Sequence, residues 1–346
     1  MKIAIDCRYL GKSGIGRYLS GILENLDFDA DQYFLIGSKE SLDKLQYNFT
    51  PIYCDLSPFS LKGLLHFPTK QINGCDAFFS PNFIVPFGIK AKIYTTIHDV
   101  IFLDYKDSNN GKVDYLIKKY FLKRALKKSK KVFTVSEFSK KRIKHHFSKI
   151  DTDVVITGNA LTNALKSYSI TEDKIPNSLV YVGNLKKHKG LHLLKEALEL
   201  LNKQESKYQL TIVGTKDNFR TSDDCADLLE RQDVKFTGYL DELDLIKVIS
   251  SASFLVQPSF YEGFGMPPLE AMYFGTKPIV SDIEVFREVY NDFEDVVFFE
   301  TGNAKALASA IENSDTRVIT TKDDINSKFN YNNFAQAILR VIRDAE

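Results

Sequence analysis

The sequence predicts an α/β protein of two doubly wound domains, each a parallel sheet with helices on both faces. Three observations carry that prediction. The chain has 346 residues, room for two domains at ~150 residues each. Short apolar runs alternate with helical or polar segments through both halves, the pattern of strands joined by crossover helices. Each half also opens with an apolar strand, a glycine-bearing turn and a helix, the entry of a nucleotide-binding fold. A hydrophobic fraction of 44% is enough for two cores.

In chain order, Lys2–Asp6 reads as a buried first strand. A glycine turn over residues 11–16 follows, then an amphipathic helix over 17–26. The third glycine of a dinucleotide fingerprint is absent, so a plain tight turn stays open as a reading of Gly14 and Gly16. Asp27-Phe-Asp29 sits at the helix end and reads as a solvated turn rather than a metal site. Strands are expected over 33–36, 51–53, 77–79 and 93–97. Ser80-Pro-Asn82 and His98-Asp99 follow two of them, and residues just past strand ends line the crevice of an open α/β sheet.

Residues 112–131 are strongly basic, with nine Lys and Arg against Asp114 alone. Tyr115, Leu116, Phe121, Leu122, Ala125 and Leu126 are interleaved, as on an amphipathic helix whose basic side carries Lys118, Lys119, Arg124 and Lys127. A strand over 132–135 and a helix capped by Ser136 come next. Residues 1–165 hold 25 Lys and Arg against 16 Asp and Glu, a net +9, and the remainder carries −8. No recognisable nucleic-acid module accompanies the charge. An anionic membrane face, or an acceptor with a lipid phosphate, fits it better than nucleic acid, with a merely solvated helix face as the other reading. Any membrane contact should be peripheral and electrostatic, because no apolar run reaches ~18 residues.

Residues 161–178 are polar and read as the linker between a first domain (1–165) and a second (175–329), with a terminal helix in 330–346 returning to the first. The second domain opens with a strand at 179–183, and Asn184-Leu-Lys-Lys-His-Lys-Gly190 leads into a helix over 191–202. Strands over 208–213, 234–237, 254–257 and 278–280 continue the sheet. The four cysteines, Cys7, Cys54, Cys75 and Cys225, lack metal or redox spacing, which suits a reducing cytoplasm. Asp6 falls where a signal peptide needs an apolar run.

The second half is organised around Pro258–Gly275. A strand feeds a loop with Gly263 and Gly265, then a helix opened by Pro267 and Pro268, with Glu262 and Glu270 on either side. Such a helix end offers free N–H donors and a positive dipole to an anion. Two acids beside it suit a ligand with both phosphate and hydroxyl groups, such as a sugar nucleotide. Glu270 has a second reading, as a complement to its own helix dipole.

Glu262-Gly-Phe-Gly-Met-Pro-Pro-Leu-Glu270 resembles the E-x7-E signature of the retaining glycosyltransferases of family 4, with a likeness running from Lys2 to about Ile342. The bacterial mannosyltransferases of O-antigen and capsule synthesis are the nearest flavour. The resemblance implies the GT-B fold, two nucleotide-fold domains facing across a cleft, and a set of roles. His98 and Glu262 would contact the donor sugar. Lys189 and the Gly263–Met266 loop, with Phe264 and Gly265, would hold the diphosphate. Glu270 would bind the ribose hydroxyls, and Tyr239 and Leu240 the base. Gly183 and Asn184 would border the donor, Gly14 and Gly16 its phosphates, and Ser136 the acceptor. Two departures stand out: Gly158-Asn159 replaces the usual Asn-Gly, and Asn184 stands where many members carry Arg.

The resulting expectation is a cytoplasmic enzyme moving a hexose, foremost mannose from GDP-mannose, to a glycan or lipid-linked acceptor in surface-polysaccharide synthesis. No cofactor and no obligatory metal are expected. The competing readings are an inactive scaffold of the same fold and a nicotinamide-dependent oxidoreductase. Thermal shifts with nucleotide sugars and NAD(H) separate the three.

Overall fold

The structure is a computed structural model and describes residues 1–11, 13–105, 108–170, 172–203, 207–214 and 227–344, so Cys225 lies outside the described residues. Two compact units form, one from residues 1–163 with 329–346 and one from 164–328.

Unit 1 contains β1 (Lys2–Asp6), β2 (Gln32–Gly37), β3 (Thr50–Tyr53), β4 (Ala77–Ser80), β5 (Lys92–Thr96), β6 (Ser129–Thr134) and β7 (Val154–Ile156). Their order is β3-β2-β1-β4-β5-β6-β7 and every pair is parallel. A parallel sheet is covered on both faces, which is why β4 reads Ala-Phe-Phe-Ser with no polar alternation and is buried throughout. The strand order reverses between β1 and β4, and open α/β sheets bind ligands past strand ends at such a reversal.

Three expected boundaries move. The first helix spans Ser13–Leu23 and not 17–26, so Gly14 and Gly16 lie in its first turns and the chain turns at Gly11, φ +69°. Gly16 is there for closeness: a Cβ would stand 2.5 Å from the Tyr9 carbonyl oxygen. The helix stops early because the Asn25 side chain donates to the Gly21 carbonyl (2.8 Å). The basic helix ends at Lys128, and Lys130 and Lys131 go to β6, whose Ser129 Oγ meets Thr95 Oγ1 at 2.9 Å. The terminal helix Tyr331–Arg343 packs on Ser13–Leu23, where a Cβ on Gly21 would lie 2.1 Å from the Tyr331 ring.

Unit 2 contains β8 (Ser178–Val182), β9 (Gln209–Val213), β10 (Val234–Gly238), β11 (Phe254–Gln257), β12 (Lys277–Ser281) and β13 (Val297–Phe299). The order is β10-β9-β8-β11-β12-β13, again all parallel, with the reversal between β8 and β11. The three-residue β13 is absent from the sequence reading. The expected linker is partly structured: Asn163–Lys166 is helical, and residues 174–178 strap onto the end of helix Glu242–Ser251. There Lys174 Nζ donates to the Ser250 carbonyl (2.8 Å) and Ile175 N to that of Ser251 (2.8 Å).

Candidate functional site

In unit 2 the two segments singled out from sequence leave the sheet side by side, one from β8 and one from β11. After β8 the chain runs through Gly183 and Asn184 into a 3₁₀ turn, Lys187–Lys189, that ends at Gly190. Gly190 adopts φ +72°, and a Cβ there would stand 1.9 Å from the Pro258 carbonyl oxygen. Only glycine lets the β8 turn approach the β11 loop this closely. Phe260 N completes the junction by donating to the His188 carbonyl (2.8 Å).

That approach brings Lys189 onto Glu262. Lys189 Nζ lies 2.6 and 2.7 Å from the two carboxylate oxygens of Glu262. Both side chains are largely withdrawn from solvent, at 15% and 10% exposure. Ser259 Oγ also donates to Glu262 (2.8 Å), and Gln257 Nε2 lies at 3.3 Å. Sequence reasoning placed Lys189 beside this loop but gave it and Glu262 separate partners. It missed Gln257 and Ser259, both fully buried, although a glutamine closing an otherwise apolar strand is a signal.

Past Glu262, Gly265 takes φ +87° and caps helix Met266–Tyr273 without a side chain of its own, and the Leu269 amide donates to the Tyr290 phenol. Pro267 and Pro268 are in its first turn, as expected. A Cβ on Gly265 would lie 2.3 Å from the Phe286 ring, so helix Glu284–Tyr290 presses on the loop from behind. The Tyr290 hydroxyl donates to the Gly265 carbonyl. Burial, then the charges of Glu270 and Glu262, push the Tyr290 phenol well above its usual value, which keeps it a donor. Glu270 is 3% exposed. On the far side of the sheet reversal, Tyr239 follows β10 with 80% of its surface exposed, while Leu240 packs on the core. The arrangement is a glycine loop entering a helix, a cation, and two buried acids around one sheet reversal; Pro267 and Pro268 carry no N–H, so backbone donors to an anion would have to come from the loop.

In unit 1, His98 follows β5. Its Nε2 lies 3.0 Å from the Pro81 carbonyl oxygen, which can only accept, so Nε2 carries the proton and Nδ1 is the acceptor. Tyr18 packs edge-on against the ring at 4.8 Å. Burial lowers the His98 pKa to about 4, against the raising effect of the Pro81 carbonyl, so the imidazole is neutral at neutral pH. Ser136 is the N-cap of helix Glu137–His146 and accepts from Ser139 N (3.1 Å). Ser139 Oγ in turn donates to the His98 carbonyl (2.9 Å), so His98 and the Ser136 corner form one constellation.

The basic residues divide. Lys118 is paired with Asp114 (2.6 Å), and Arg124 donates to the Val85 and Pro86 carbonyls (2.6 and 3.0 Å) while lying over the Phe87 ring. Arg124 thus ties its helix to the 85–87 segment, and Lys118 pairs within its own helix. Lys119 and Lys127 are exposed. Asp27 accepts from the amides of Asp29 and Ala30, the turn the sequence suggested. No group of three metal-ligating side chains occurs among the described residues.

Comparison with known proteins bears on the fold and on the class of activity. Residues 165–314 match the family model described as "Glycosyl transferases group 1". The chain is 28% identical to the O-antigen chain mannosyltransferase RfbU of Salmonella typhimurium, over 94% of this chain and 93% of that protein. It is 29% identical to the O-antigen chain mannosyltransferase B of Escherichia coli, over 61% of this chain and 58% of that one. Among solved structures, Anabaena HepE in complex with UDP-glucose superposes with a TM-score of 0.73 at 15% identity, covering 99% of this chain and 100% of that one. A likeness at that identity establishes the fold. The resemblance carried by Glu262–Glu270 and the GT-B fold class it implied are borne out.

Proposed function

We propose that this protein is a retaining, metal-independent glycosyltransferase that moves mannose from GDP-mannose to a glycan or lipid-linked acceptor in surface-polysaccharide synthesis. The observation that carries the reading is the meeting of Lys189, Glu262 and the glycine loop before helix Met266–Tyr273 at one sheet reversal. The mannosyltransferase names of the relatives support the choice of sugar, and the UDP-glucose of HepE makes UDP-hexoses the competitors to exclude.

Unit 2 holds the donor. The amides of residues 263–266 and Lys189 Nζ receive the diphosphate, where preorganised donors stabilise charge most strongly as it develops. Glu270 accepts from the ribose hydroxyls, Glu262 from a sugar hydroxyl, and the exposed Tyr239 ring offers a face to the base. Unit 1 serves the acceptor side, with Ser136 at a helix start and neutral His98 offering Nδ1 to a sugar hydroxyl. In the reaction the bond from the anomeric carbon to the diphosphate breaks. The acceptor oxygen bonds that carbon on the same face, and its proton passes to a phosphate oxygen of the departing nucleoside diphosphate. The protein works in the cytoplasm, with the basic side of unit 1 in peripheral contact with an anionic membrane face. Product analysis across GDP- and UDP-sugars tests the reading: transfer from GDP-mannose supports it, and transfer only from a UDP-hexose replaces the sugar assignment.

A further inference from the structure

Helix Lys112–Lys128 is expected from its sequence to turn one apolar side inward and a basic side outward. The structure gives it two apolar sides. Phe121, Leu122, Ala125 and Leu126 are buried in the core of unit 1. Val113, Leu116, Ile117 and Tyr120 point outward, with 70, 61, 50 and 55% of their surfaces exposed. Their spacing of i, i+3, i+4 and i+7 makes one continuous stripe over two turns. Leu116, grouped in the sequence with apolar residues that are buried here, is part of it.

A second helix of unit 1 also exposes leucines. The short helix Leu61–Leu65 exposes Leu61 (70%) and Leu65 (56%). Phe87 ties this helix to the longer one: its N donates to the Leu64 carbonyl (3.0 Å), and its ring packs on Phe121 (5.9 Å) beneath Arg124. Exposed cations rim the surface, with Lys62 on the short helix and Lys119, Lys123 and Lys127 on the long one. A helix hydrophobic on both faces normally belongs inside a protein. Here one such face is left open.

We propose that this surface docks on an anionic phospholipid bilayer, its apolar stripe entering the boundary between headgroups and acyl chains and its lysines meeting lipid phosphates. The proposal rests on the peripheral-membrane part of the reading above and replaces its purely electrostatic form. Charge complementarity selects the occupant. A symmetric contact with a second copy would bring the two sets of lysines face to face. Nucleic acid would match the lysines and leave the leucines in water. An anionic bilayer satisfies both.

The test sediments the full chain, without donor or acceptor, with vesicles of phosphatidylcholine alone or mixed with phosphatidylglycerol. The wild type should bind the mixed vesicles, and a fraction should stay bound near ~1 M salt, where screening has shortened to ~3 Å. Replacing the stripe with Leu116→Gln, Ile117→Gln and Tyr120→Gln should abolish the salt-resistant fraction and weaken partition about tenfold or more. Lys119→Gln, Lys123→Gln and Lys127→Gln should instead abolish the preference for anionic vesicles. If the triple stripe variant misfolds by circular dichroism, Leu116→Gln alone carries the same comparison. A stripe variant that binds as the wild type does, or a wild type that ignores both vesicles, overturns the proposal. So does a dimer on gel filtration that the stripe variant dissolves, since the face then belongs to a second copy. Transfer to a soluble acceptor, measured without vesicles, reports on the enzymatic reading separately.

Discussion

Lys189→Ala tests the unit 2 site most sharply, because the structure gives this lysine two separable effects. The first is on stability. Its ammonium lies 2.6 and 2.7 Å from the Glu262 oxygens, and the acid is 10% exposed. Removing one partner of a fully buried pair costs ~3–5 kcal/mol. Glu262 keeps its bond from Ser259 (2.8 Å) and some contact with water, which brings the expected loss to ~1–3 kcal/mol. For a unit of this size that lowers Tm by roughly 3–10 °C. The second effect is on catalysis. A charge-assisted bond to the diphosphate contributes ~1.5–3 kcal/mol. Because negative charge grows there in the transition state, kcat should fall about 10–100-fold. The assay is nucleotide release at saturating donor and acceptor, with circular dichroism to confirm folding. Glu262→Gln supplies the control. If Lys189 served only to hold Glu262, removing it from the Glu262→Gln protein would change kcat no further. The phosphate assignment expects a further drop of about tenfold or more. A double variant equal to Glu262→Gln, or a wild-type kcat in Lys189→Ala, would refute it.

Other perturbations follow from the same geometry. Glu270→Gln should raise KM for the donor several-fold with kcat little changed, because a ribose contact is the same in the ground and transition states; steady-state kinetics decide, and an equal loss in kcat refutes the assignment. Gly190→Ala should destabilise unit 2 by more than the ~1–3 kcal/mol of ordinary overpacking, since the new Cβ would meet backbone at 1.9 Å in a left-handed conformation; an unchanged Tm would contradict the close approach. His98, with its pKa lowered to about 4, sets the sign of a pH effect. The unfolded chain takes up a proton near pH 6.5 and the folded one does not, so stability is full above 6.5 and falls as pH drops toward 4. His98 accounts for ~3 kcal/mol of that fall. Urea titrations of wild type and His98→Gln across this range should show a shallower decline in the variant; His188, also lowered to about 4, and ion-paired carboxylates such as Asp104 contribute to the slope that remains.

The strand pattern of both units was legible because parallel strands are buried on both faces and appear as unbroken apolar runs, β4 and β11 being the plainest. The edge strand β13, three residues long, lacks that signal. Gly14 and Gly16 misled because glycine marks turns and close approaches alike. The approach of Gly16 to Tyr9 is a tertiary fact that no local pattern contains. Glu262 and Glu270 stood out by residue type and spacing and Lys189 through the resemblance, while the joining of Lys189 to Glu262 depended on Gly190 meeting Pro258 across two strands. Leu116 shows the opposite failure: helical periodicity says which residues share a face, and it does not say that a second apolar face remains uncovered.

The most direct test of the account is the stereochemistry of transfer. The purified chain is incubated with GDP-mannose and a synthetic lipid-linked acceptor, with UDP-hexoses in parallel, and the product linkage is read by NMR from the one-bond coupling at the anomeric carbon. The account predicts a mannosyl product whose anomeric configuration matches the α-linked donor, formed in the presence of a metal chelator. An inverted product, a strict demand for a divalent cation, or no transfer from any donor in the panel would contradict it.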